Sequence, residues 1–157
     1  MTDQPPFTSE TAMLIRKPAA DVFNAFIDPS VTSKFWFTGG DRKLEAGKQA
    51  HWEWKMYGFT IPVDVKAIEP DKRIEIEWPG YSGQTRVEWR FKARPDNTTY
   101  VTITERGFSG SPEEKAKQVA DSTGGFTFVL AGLKAWLEHG VELNLVRDAF
   151  PDGLPKS

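Results

Sequence analysis

Gln49-Ala50-His51-Trp52-Glu53-Trp54-Lys55-Met56 is the stretch from which the fold is read. Ala50, Trp52, Trp54 and Met56 alternate with Gln49, His51, Glu53 and Lys55. Side chains of a strand point alternately to its two faces, so this period of two predicts a strand with one buried and one wet face. The same alternation continues downstream. Phe59, Ile61, Val63 and Val65 alternate with Thr60, Pro62, Asp64 and Lys66, where Pro62 predicts an edge or a bulge. Ile74, Ile76 and Trp78 alternate with Arg73, Glu75 and Glu77. Val87, Trp89 and Phe91 alternate with Arg86, Glu88, Arg90 and Lys92, and Val101 and Ile103 with Thr102 and Thr104. Pro79-Gly80 and Pro95-Asp96-Asn97 punctuate the runs. Connections this short favour antiparallel neighbours, hence a meander with one solvated side.

Upstream, Thr11 to Arg16 reads as a first strand. Pro18 suits the first turn of a helix, and Val22, Phe23, Phe26 and Ile27 follow at helical spacing. Asp28-Pro29 interrupts that helix, and a second short one is expected from Pro29 to Trp36, ended by Gly39-Gly40. Downstream the period changes. Ser111-Pro112-Glu113-Glu114 is a helix start, with Ser111 as cap and Glu114 completing a capping box. Gly124-Gly125 is expected to kink or split the helix. Phe126, Val129, Leu130, Leu133, Trp136, Leu137 and Val141 form an apolar stripe, and Gly140 is a stop. The tail over 142–157 is expected to dock loosely or stay mobile. The reading is one α+β domain with its core at about 8–141: a curved antiparallel sheet of about six strands around a long C-terminal helix.

Composition narrows the partners. The 157 residues are 39% hydrophobic and 27% charged, which excludes a disordered or low-complexity chain. Basic residues number 20 and acidic residues 22, with the signs interleaved as in Glu69-Pro70-Asp71-Lys72-Arg73, so no nucleic-acid partner is expected. No stretch is long and apolar enough for a membrane span. Met1-Thr2-Asp3-Gln4-Pro5-Pro6 lacks the basic start and apolar run of a secretory signal, so a cytoplasmic setting is expected. There is no cysteine, which removes disulfides and thiolate metal sites.

One helix is about 10–12 Å across, whereas five strands span about twice that width. The sheet must therefore curl, and space between it and the helix is expected to form an apolar pocket. Six tryptophans bear on this. Trp52, Trp54, Trp78 and Trp89 fall in the inward phase of their strands, Trp136 on the helix stripe, and Trp36 between Phe35 and Phe37. A buried indole N–H needs a hydrogen-bond partner, which a wet or ligand-filled space supplies and a dry core does not. The expected lining is Phe35, Trp36, Trp52, Trp54, Met56, Trp78, Trp89, Phe126 and Leu130.

Catalytic chemistry has few candidates. His51 lies in an outward phase and His139 near a helix end, without ligand spacing around either, so no metal is expected. No phosphate loop or nucleophile elbow occurs, and no cofactor is expected. Glu105 continues the inward phase of Val101 and Ile103. There it could orient a ligand hydroxyl or act as a general base; at a strand end it could instead face water or pair with Arg106 or Lys117. Asp121 is a similar candidate, while Arg16 and Arg90 belong to the solvated face.

Three stretches carry a family resemblance. They are Phe35-Trp36-Phe37 with Leu44-Glu45-Ala46-Gly47-Lys48 and Trp52-Glu53-Trp54; Ile68-Glu69-Pro70-Asp71-Lys72-Arg73-Ile74 leading to Trp78; and Thr102-Ile103-Thr104-Glu105-Arg106-Gly107-Phe108 with Asp121-Ser122-Thr123-Gly124-Gly125-Phe126 and Leu133-Lys134-Ala135-Trp136-Leu137. In this order they resemble the START-like, helix-grip (SRPBCC) superfamily, and within it the group related to the activator of the heat-shock protein 90 ATPase. The resemblance implies a helix-grip fold and a hydrophobic cavity for a small lipid-like, apolar or aromatic ligand. It does not imply one activity. Three expectations follow: a non-catalytic ligand-binding domain, a cyclase- or dehydratase-like enzyme using the same cavity, or a partner-binding protein that acts on a chaperone. A homodimer also stays open.

Overall fold

The computed structural model describes residues 7–154. The readings of the first six residues and of the last three of the tail lie outside them. The alternating runs are strands: Ser9–Ile15 (β1), Gly39–Gly40 (β2), Gln49–Trp54 (β3), Phe59–Glu69 (β4), Arg73–Pro79 (β5), Gln84–Ala93 (β6) and Thr99–Arg106 (β7). Among the described residues they form one antiparallel sheet in the order β1-β7-β6-β5-β4-β3-β2. The chain therefore meanders from β2 to β7, and the N-terminal strand adds itself beyond β7.

The sheet has seven strands rather than about six, because Gly39-Gly40 pairs with Glu53 and Trp52 instead of forming a turn. Two residues carry no readable period. A Cβ on Gly40 would sit 2.9 Å from Pro29 Cβ, so the absence of a side chain permits this close packing. The β3 run also stops at Trp54, two residues early. Lys55–Tyr57 turns as a 3-10 helix closed by Gly58 at φ 71°, which removes Met56 from the inward face of the strand. Pro62 lies in the part of β4 that pairs with β3 but reaches beyond the register with β5, where its missing N–H breaks no ladder. The register shift in β4 falls later, between Val65 and Ala67.

Four helices complete the described chain: Ala19–Ile27 (α1), Pro29–Thr32 (α2), Pro112–His139 (α3) and Leu145–Asp148 (α4). Pro18 stands one position before the first turn of α1, as its cap. Asp28 ends α1 and caps α2, accepting from the Ser30 N–H at 3.0 Å. The helical part of α2 is shorter than expected, although Phe35 and Trp36 N–H groups still bond back to the Thr32 carbonyl. Helix α3 begins with the expected capping box and ends at Gly140 in the left-handed region. It is not split at Gly124-Gly125, because 28 residues of packed helix absorb the roughly 1 kcal/mol each glycine costs.

The position of α3 is set by a polar seam along β1. Ser9 and Thr123 hydroxyls lie 3.1 Å apart and Thr11 and Thr127 hydroxyls 2.9 Å apart. Lys134 Nζ donates to the Leu14 carbonyl at 2.8 Å, and the Arg16 N–H donates to Glu138 Oε2 at 2.9 Å. The helix thus runs beside one edge of the sheet. Under it lie Val129, Leu130 and Leu133, packed with Ile15, Ile74, Ile76, Val87, Val101 and Ile103. Helix α1 plugs the end of the sheet where β6 finishes: Phe23 and Phe26 rings stand 5.5 and 6.0 Å from Phe91. The opposite end, where β5 and β7 finish, has no such plug among the described residues.

Candidate functional site

At that end a cleft of about 440 Å3 opens between the sheet, α3 and the C-terminal tail. β3 contributes Trp54, β4 Phe59 and Ile61, and β5 Trp78 and Pro79. Asp121, Ser122, Gly125, Phe126, Phe128 and Val129 come from α3, and Glu105 closes the floor from β7. The tail supplies the far wall with Val146, Ala149, Phe150 and Leu154. It is fastened there by Tyr57, whose hydroxyl donates to the Val146 carbonyl and whose ring meets Phe150 edge-on at 6.4 Å. Tyr81, Phe128, Phe150 and Leu154 keep substantial exposed surface and mark the mouth.

Trp36 is the centre of the inner wall. Its ring lies within contact range of Trp52 (5.0 Å), Phe126 (5.7 Å), Trp78 (6.0 Å), Trp89 (6.0 Å) and Trp54 (6.1 Å). Most of these pairs are edge-on or tilted, the geometry in which ring quadrupoles attract. The loop after α2 brings Trp36 here because Gly132 of α3 passes directly over Phe35: an added Cβ would lie 3.1 Å from both Phe35 Cβ and Phe35 O.

Of the residues expected to line a pocket, Trp36, Trp54, Trp78 and Phe126 meet on the cleft wall. The other five lie elsewhere. Trp52, Trp89 and Leu130 are enclosed behind the wall, with Trp52 stacked on Phe37 at 4.8 Å. Phe35 and Met56 line a second recess of about 230 Å3 on the other side of the tail. An inward phase places a side chain on the core face, and α1 and α3 then decide which part of that face is covered. The tail residues were missed, because Val146, Phe150 and Leu154 show no periodicity; the aromatic and aliphatic residues in a short polar tail are the available signal.

Glu105 lies inside, at 2% exposure, and pairs with neither Arg106 nor Lys117. Its Oε2 accepts from the Thr85 hydroxyl at 2.5 Å and the Trp78 indole N–H at 2.9 Å; its Oε1 accepts from the Ser122 hydroxyl at 2.6 Å. Thus the Trp78 N–H is satisfied by protein, whereas the Trp89 N–H is buried without a partner among the described residues. Tyr81 stands at the mouth. Desolvation of the enclosed part of its ring, then the nearby Glu105 and Asp121 charges, raise its phenol above the usual tyrosine range, so it stays protonated. His51 is outside, bonded to Asp41, and His139 is exposed at the end of α3. No group of three or more acidic or histidine side chains among the described residues could hold a metal ion. No helix among them is long and apolar enough to cross a membrane.

A curved antiparallel sheet gripping a C-terminal helix, with an aromatic cleft at one end, defines a helix-grip protein of the SRPBCC class. The chain belongs to the family of Activator of Hsp90 ATPase homolog 1-like proteins, whose profile matches residues 16–138. Among solved structures it is similar to protein SSP2350 from Staphylococcus saprophyticus, at 26% identity and TM-score 0.74 over 87% of this chain and 95% of that one. It also resembles the Aha1 dimer from Colwellia psychrerythraea, at 16% identity and TM-score 0.71 over 85% and 97%. A third likeness is to DynU16, a protein of the dynemicin biosynthetic locus, at 18% identity and TM-score 0.76; it covers 88% of this chain but about half (49%) of DynU16. A search of curated proteins gives no significant match.

Proposed function

We propose that this protein is a cytoplasmic, non-catalytic binding module that holds a small apolar or aromatic ligand in the cleft. The observation that carries this reading is the unfilled space of about 440 Å3 among Trp36, Trp54, Trp78 and Phe126. Ligand pockets run to roughly 300–1,000 Å3 and are walled by apolar and aromatic groups. Water in such a space finds few partners, so a ligand displaces it at little polar cost. The test uses the neutral dye Nile red. Gly125 lines the cleft, and nothing lies within 4 Å of a Cβ placed on it. Gly125→Leu should therefore narrow the cleft without removing any packing. Dye uptake is expected to fall while the thermal midpoint is kept. Undiminished uptake by the folded variant would refute the cleft as the site.

Family membership favours a second reading, in which the domain also engages a chaperone ATPase or a second copy of itself. Sedimentation and pull-down with a purified heat-shock protein 90 would test it; partner binding unchanged in Gly125→Leu would assign it to the outer surface. A cyclase- or dehydratase-like reaction in the same cleft would depend on Glu105. Turnover unaffected by Glu105→Gln would exclude that role.

A further inference from the structure

The charge inside the cleft is one-sided. Glu105 and Asp121 are its charged lining residues, and among the described residues no lysine, arginine or histidine stands beside them on the wall. Arg147 lies on the other side of the tail, in the smaller recess. The outer face of the same sheet is built differently. Glu75 and Glu88 are also buried, yet Arg73 pairs with both, Arg86 and Arg106 with Glu75, and Arg90 with Glu88. Arg106 follows Glu105 in β7 but points to that outer face, reaching Glu75 at 3.3 Å. Glu105 is enclosed as deeply as these carboxylates and meets three neutral donors without any cation among the described residues.

Acceptor accounting locates what is left over. A carboxylate offers about four lone-pair positions, two on each oxygen. Oε2 uses both on Thr85 and Trp78; Oε1 uses one on Ser122. One acceptor position on Oε1 is unassigned. Trp36, Trp54, Trp78 and Phe126 line the same space, and an aromatic ring attracts a cation placed over its face within about 6 Å.

Resting on the reading of the cleft as a ligand site, we propose that its ligand is an aryl-bearing alkylamine, carried as the ammonium at pH 7, whose N–H donates to Glu105 Oε1, and that carboxylate-bearing ligands such as fatty acids are rejected. The amine supplies the counter-charge that the protein withholds. Asp121, exposed at the rim without a hydrogen bond or ion pair among the described residues, draws cations toward the mouth.

The test compares three ligands of one shape: 2-naphthylmethylamine, 2-naphthylmethanol and 2-naphthoate, each displacing Nile red at pH 7 and low salt. The alcohol can also donate to Glu105, so the comparison isolates the ammonium charge, which pairs with the carboxylate as a hydroxyl cannot; the amine should bind at least about tenfold more tightly than the alcohol. The carboxylate should bind at least about tenfold more weakly than the alcohol. Glu105→Gln should narrow the gap between the amine and the alcohol to within about twofold, read as the ratio of the two affinities in the same variant. Asp121→Asn, at an exposed position, should weaken the amine a few-fold, more at low salt than at high salt. Should Glu105→Gln not fold, the wild-type series and Asp121→Asn still decide. Nile red uptake with an amine no tighter than the alcohol would overturn this proposal and leave the binding module standing. Failure of Nile red and all three naphthalenes to bind would overturn both.

Discussion

Gly124→Ala and Gly132→Ala add the same methyl to the same helix about two turns apart, and the structure assigns them opposite signs. At Gly124 nothing lies within 4 Å of the added Cβ, so the gain is the helix propensity difference alone, about 1 kcal/mol. Alanine at Gly132 brings the same gain but places Cβ 3.1 Å from Phe35 Cβ and Phe35 O. Ordinary carbon contacts sit at about 3.5–4.0 Å. Phe35 cannot simply retreat: its ring meets Phe26 edge-on at 5.5 Å, and its N–H is bonded to the Thr32 carbonyl at 3.1 Å. Overpacking of this kind costs about 1–3 kcal/mol. The net loss at Gly132 is therefore about 1 kcal/mol, and the two variants should differ by about 2 kcal/mol. Urea unfolding at a shared slope measures this directly. Because Phe35 precedes Trp36 in the chain, Gly132→Ala should also weaken Nile red uptake, whereas Gly124→Ala should leave it unchanged. A Gly132→Ala variant as stable as Gly124→Ala would refute the claim that this contact fixes α3 over the aromatic loop.

Other perturbations address the helix start, the tail and the outer face. Ser111→Ala removes the side chain that accepts from the Glu114 N–H at 3.2 Å and should cost about 1 kcal/mol in urea unfolding. Tyr57→Phe removes the hydroxyl that holds the Val146 carbonyl, a bond worth about 0.5–1.5 kcal/mol. Amide exchange over Leu145–Asp148 should quicken while that of β6 stays unchanged; an unaltered tail would show that ring packing alone retains it. Burial pushes the Glu88 carboxyl up, but bonds from Arg73 and Arg90 outweigh this and hold it below the ordinary glutamate range. Burial is likewise outweighed at Glu138 by Lys134 and the Arg16 N–H. A depressed carboxyl stabilises the fold above its unfolded pKa of about 4.3 and loses that contribution as pH falls through the lower folded value. The urea midpoint should thus be level above about pH 5.5 and decline below pH 4.5, less steeply in Glu88→Gln; a midpoint level down to pH 3 would refute the account.

What could be read in advance follows the range of the interactions. Strands β3 to β7 show in the sequence because the period of two is written locally, residue by residue, and the capping box of α3 and its stop at Gly140 are equally local. β2 could not be read: Gly39-Gly40 is a strand through its pairing with Glu53 and Trp52, not through a pattern of its own. Trp54 and Trp89 looked equivalent, each inward in a strand, yet one meets the cleft and the other lies buried against Phe26, Trp36 and Phe126. The difference arises where α1 and α3 cross the sheet, a tertiary fact without a local trace. Glu105 could be placed on the inner face by phase, but its three donors come from β5, β6 and α3.

The cleft itself follows from how α3 is held. Seven strands at about 4.8 Å spacing exceed the width of one helix by more than a factor of two, so α3 cannot cover them all. A helix held by apolar contacts alone would settle over the middle of the sheet, where burial is greatest. Here four polar contacts, from Ser9–Thr123 to Arg16–Glu138, tie it along β1 at one edge. The uncovered apolar surface then falls on β3, β4 and β5 at the end that α1 does not plug. Trp36 and the tail roof that surface without filling it. Threonine and serine at Ser9, Thr11, Thr123 and Thr127 therefore bear on the cleft without touching it, because they decide how far the helix stands from the strands that line it.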